Sequence, residues 1–69
     1  MDLTEKLKIA MIKQKISQVE LADKTGQSKS NLSQKMLANN FKLSEYKKLV
    51  EALGCSLIVE IVLPNGERI

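Results

Sequence analysis

The side chains best placed to do chemistry lie between Ser17 and Met36, in the run SQVELADKTGQSKSNLSQKM. They are hydroxyls, carboxamides and ammonium groups, so the chemistry open to them is hydrogen bonding and charge neutralisation. On a helix starting after Ser28, Leu32 and Met36 lie four apart and form one apolar stripe. At about 100° per residue the opposite face carries Ser30 and Gln34, flanked by Asn31 and Ser33. Such a face is polar, uncharged and able to donate and accept, which suits base edges in a major groove. It suits water equally well.

Catalytic chemistry has little to draw on. The chain has no histidine and a single cysteine, Cys55, which excludes an intrachain disulfide and a multi-cysteine metal site. There is no glycine-rich phosphate loop and no carboxylate pair in a recognisable site. No enzyme, cofactor, metal or small-molecule ligand is expected. Cys55, between helix and strand signals, reads as a small buried hydrophobe.

Two short helices and a tight turn must position these groups. Ser17 and Glu20 have capping-box spacing, with Ile16 and Leu21 as a hydrophobic staple. Gly26 stops the first of the pair in the left-handed conformation that glycine tolerates, and Ser28 caps the second. Ala22 is small enough for the second helix to cross close over it.

The order Gln18, Leu21-Ala22, Gly26, Ser28, Leu32-Ser33 resembles the helix-turn-helix of the Cro and phage-repressor (XRE) family. The likeness is close over Ser17–Ser33 and looser over Leu3–Gly54, since the family adds one helix before and at least one after. It implies a mainly α, four-helix, lambda-repressor-like domain of prokaryotic type that binds double-stranded DNA. Two positions depart from the pattern. Gln27 stands where an aliphatic residue is usual, and the apolar position expected at Lys35 has moved to Met36. Both bear on the rotation of the recognition helix. The resemblance also implies that the loop after that helix, with Asn39, Asn40 and Lys42, touches the DNA backbone.

Length and charge agree with a small binding module. Sixty-nine residues make one domain near the lower size limit for folding unaided. With one Phe, one Tyr and no Trp its core must be aliphatic. The net charge of +3 is unevenly placed: between residues 24 and 48 six lysines face Glu45 alone, whereas residues 49–69 turn acidic. A cationic half that coincides with the motif is the footprint of a nucleic-acid surface, or else a solvated lysine-rich exterior. One free thiol, no signal sequence and no membrane span point to the cytoplasm.

The remaining segments are framework. Asp2 and Glu5 have capping spacing at the head of a first helix ending near Lys15. Leu3, Leu7, Ala10 and Met11 mark its inner face, with Ile9 and Ile12 widening it. Asn39-Asn40 reads as a turn, and Phe41 as a core plug. A fourth helix over Leu43–Leu53 presents Leu43, Tyr46, Leu49, Val50 and Leu53 on one face and stops at Gly54. Residues 1–54 then form the DNA-binding domain, with the helix-turn-helix at about 17–36.

Residues 55–69 read differently. Ser56–Leu63 is rich in β-branched residues and precedes Pro64-Asn65-Gly66, which predicts a β-strand and a lopsided hairpin. Leu57, Val59, Ile61 and Leu63 would face the helices, leaving Ile58 and Val62 on the far side. An open, apolar strand edge predicts a homodimer paired through this segment; the alternative is a hairpin folded back in a monomer.

The expected function is that of a sequence-specific DNA-binding regulator, a dimeric repressor on a palindromic operator. Lysines would supply affinity, and Gln18 a phosphate bond from its helix start. Lys29, Ser30, Ser33 and Gln34 would read bases, with Gln27, Ser28, Asn31 and Lys35 around them. The competing reading is a protein-interaction module on the same fold, an antitoxin or antirepressor partner, its strand completing a foreign sheet.

Overall fold

The Asp2 carboxylate accepts the Glu5 N–H at 2.7 Å, and a first helix, α1, runs Leu3–Gln14 from that cap. In the computed structural model, which describes all of residues 1–69, three further helices follow. They are α2 (Gln18–Lys24), α3 (Lys29–Ala38) and α4 (Leu43–Ala52). The chain is mainly α, as expected.

Local chemistry explains the boundaries. Lys15 ends α1 in the left-handed region, φ 56°, its N–H returning to Ile12 O. The capping box opens α2: Ser17 Oγ accepts the Glu20 N–H at 3.2 Å while the Glu20 carboxylate takes the Ser17 N–H. The helix closes on Thr25, whose hydroxyl donates to Leu21 O at 2.8 Å. Gly26 then takes φ 69°, which lets the Gln27 N–H reach back to Ala22 O at 3.0 Å. Ser28 Oγ accepts the Asn31 N–H and starts α3, so only four residues separate the two helices.

These helices pack around Leu7 and Met11 of α1, Leu21 and Ala22 of α2, Leu32 and Met36 of α3, and Tyr46, Leu49 and Val50 of α4, with Leu53 after it. Leu21 and Leu32 are wholly buried, each worth about 1.5–3 kcal/mol relative to exposure. Ala22 of α2 is buried in the same core. Phe41 packs on this core and meets Tyr46 edge-on, ring centroids 5.3 Å apart.

Two inner faces are narrower than expected. On α1 the buried positions are Thr4, Leu7 and Met11, while Ile12 is 75% exposed and Leu3 and Ile9 lie at the rim. The stripe follows the i, i+3, i+7 line, and Ile9 and Ile12 are rotated off it. On α4, Leu43 is exposed, standing in the first turn before the helix reaches the core.

The expected strand over Ser56–Leu63 does not form. One isolated antiparallel bridge joins Val62 to Arg68, flanked by reciprocal N–H···O bonds between Ile61 and Ile69 of 2.8 and 3.0 Å. Pro64-Asn65-Gly66 does turn the chain, Gly66 N–H meeting Leu63 O at 2.9 Å. Pairing across the turn is confined to Ile61–Leu63 against Glu67–Ile69, and a ladder this short makes no strand. The backbone of Leu57–Glu60 has no backbone partner. Nor do the intended inner residues all face the helices. Leu57 and Leu63 are half-buried, but Val59 and Ile61 are as exposed as Val62.

Candidate nucleic-acid interface

Leu32 and Met36 pin α3 to the core and so fix which face turns outward. Ser30, Asn31 and Gln34 are exposed on the opposite side, with Lys29 at the head of the helix. Ser28 is exposed too, but its hydroxyl is used as the cap. Ser30, Asn31 and Gln34 thus share one face of the short helix, and Lys29 stands at its N-terminal end.

Other expected members are held back. Gln18 donates from Nε2 to the hydroxyl of Ser33, and both are half-buried, so each ties α2 to α3. Gln27 turns inward, its Nε2 donating to Thr25 Oγ1 at 2.9 Å and its Oε1 buried without a partner. Lys35 reaches Glu45 of α4 at 2.6 Å. That ammonium is the main reason the Glu45 carboxyl titrates below its ordinary range; Lys42 and Lys48 add to the effect. The two departures from the family pattern thus have structural consequences: Gln27 and Lys35 both point along the α3–α4 side.

Asn39 takes φ 50° at the end of α3, and its Oδ1 accepts the Thr4 N–H at 3.1 Å. Asn40 and Lys42 follow it, exposed. Lys24, Lys47 and Lys48 are exposed as well, and Lys42 and Lys48 lie near enough to Glu45 to act on its carboxyl.

Two residues of this region were not legible beforehand. Thr4 is the sole buried polar residue, bonded to the end of α3 more than thirty positions away. No local pattern signals such a pairing. Leu37 stands 90% exposed on the outward side of α3, at i+3 from Gln34. Its helical spacing could have placed it there.

A family model described as helix-turn-helix matches residues 7–59. The chain belongs to the Cro and phage-repressor (XRE) family of helix-turn-helix proteins. No curated protein and no solved structure matches it. The matched span takes in most of α1 and all of α2, α3 and α4. Membership supports a DNA-binding, transcription-regulating role in a family that is generally non-enzymatic. As a helix-turn-helix protein it carries α3 in the position of the recognition helix. No helix is long and apolar enough to cross a membrane.

Proposed function

We propose that this helix-turn-helix chain is a sequence-specific transcriptional repressor that binds an approximately palindromic operator as a dimer. One observation carries the reading: α3 is locked to the core by Leu32 and Met36 while Ser30 and Gln34 stand exposed on its outer face and Lys29 is exposed at its N-terminal end. Gln34 suits a bidentate bond to adenine and Lys29 suits guanine O6/N7, each worth about 1–3 kcal/mol. Asn31 and Ser28 flank them. Lys42 and the neighbouring lysines neutralise phosphates and Asn40 donates a hydrogen bond to one, which gives affinity without sequence information. Repression follows from occlusion of the bound site.

In this reading residues 1–54 recognise DNA and residues 55–69 bring two copies together. Ile58, Val59, Ile61 and Val62 are 79, 60, 60 and 58% exposed, beside backbone groups that have no pairing partner. Such a segment supports self-association through Leu57–Leu63. A two-fold dimer sets its recognition helices about 34 Å apart on successive half-sites. The same exposed segment also favours the second reading, a module that binds a different protein.

Duplex binding across a salt series, with sedimentation in parallel, separates the two. A DNA-binding dimer loses affinity steeply with salt and self-associates through the C-terminal segment. A monomer indifferent to DNA refutes the repressor.

A further inference from the structure

We propose that Thr4 is a positioning residue for base reading, acting through the far end of the recognition helix. The role rests on the reading of α3 given above. Its basis is a reciprocal cap between two helices. The first N–H groups of a helix and its last carbonyls lack partners within it. Thr4 lies in the first turn of α1, and its N–H is met by Asn39 Oδ1 at 3.1 Å. In return Thr4 Oγ1 donates to Met36 O, in the last turn of α3, at 2.6 Å. The Met36 carbonyl also takes the Asn39 N–H at 3.2 Å, so Thr4 adds a second bond to it and joins the two helix ends. Thr4 is 8% exposed and its bond to Met36 O is buried, so water does not replace that bond without cost, while Asn39 stands at the exposed rim.

The consequence is leverage. From Lys29 to Ala38, α3 spans roughly 14 Å, so a tilt of about 10° at the anchored end moves Lys29 by roughly 2 Å. Base-edge hydrogen bonds fail over such a distance. Long lysine side chains meeting phosphates follow the movement, because their contribution is chiefly charge. Losing the Thr4 anchor should therefore lower specific binding and spare non-specific binding. Asn39 suits its part because carboxamide residues tolerate the left-handed φ of 50° and keep an acceptor there.

The test compares affinity for a selected operator with that for a scrambled duplex, in wild type, Thr4→Val and Thr4→Ser. Thr4→Val should reduce the ratio about ten-fold, the order of one mismatched base pair. Its affinity for the scrambled duplex, and the salt slope of that affinity, should stay unchanged. Thr4→Ser, which keeps the hydroxyl, should restore the ratio. Thr4→Ala, smaller and likewise without the hydroxyl, should give the same selective loss, which serves if Thr4→Val does not fold. A folded Thr4→Val with an unchanged ratio, equal loss on both duplexes, or no rescue by serine overturns the role. A wild type without any sequence preference overturns the base-reading itself and this role with it, and is told apart because the failure then lies in the wild type.

Discussion

The Gln18 carboxamide donates to the Ser33 hydroxyl, joining the first residue of α2 to the middle of α3 across the turn at Gly26. From sequence alone Gln18 reads as a phosphate ligand; in the fold it holds the recognition helix. Gln18→Ala should cost about 0.5–1.5 kcal/mol in denaturant unfolding, the net worth of one such bond. Ser33→Ala should cost a similar amount, and the double variant should fall short of the sum, since both lose one interaction. Additive costs would show that the bond contributes nothing.

The Lys35–Glu45 pair makes stability depend on acid pH. With the folded carboxyl held below its ordinary 4.5, the pair's stabilisation is whole above 4.5 and fades as the pH falls through the lowered value. Glu45→Gln should therefore flatten the loss of stability in that window, measured by thermal unfolding between pH 6 and pH 2 in about half-unit steps. Wild type and variant losing stability in parallel would contradict the pair's role.

Leu32 carries the core side of the recognition helix. It is fully buried, and Leu32→Ala should remove about 2–5 kcal/mol. A domain of this size holds only about 3–10 kcal/mol in total, so circular dichroism should show a large unfolded fraction at 37 °C. Retention of the wild-type melting temperature would mean that α3 is not packed through this residue.

Ile58 tests the association segment. Exposed and apolar, it offers no fold-stabilising burial to lose, so Ile58→Lys should leave the helices intact and convert a dimer to monomer. Sedimentation equilibrium with far-UV circular dichroism would check both. An unaltered dimer would place the contact elsewhere.

Much of the helical frame was legible because its signals are local. Asp2, Ser17, Gly26 and Ser28 each act within three to five residues, and all four take up the expected cap or turn. The C-terminal strand was not, because β-branched composition states a preference but a ladder needs backbone partners, and Leu57–Glu60 have none. The site divides the same way. Ser30 and Gln34 lie outward because helical period alone places them opposite Leu32 and Met36. Thr4, Gln18 and Lys35 depend on contacts between helices, to Met36 and Asn39, Ser33 and Glu45, that no spacing along the chain encodes.

Selection from a randomised duplex library, followed by sequencing of the retained molecules, bears most directly on the claim that α3 reads DNA sequence. The wild type should retain a palindromic motif, and a Lys29→Ala/Gln34→Ala variant should lose that motif while still binding duplex at low salt. Retention without a motif, or the same motif kept by the variant, would contradict the account.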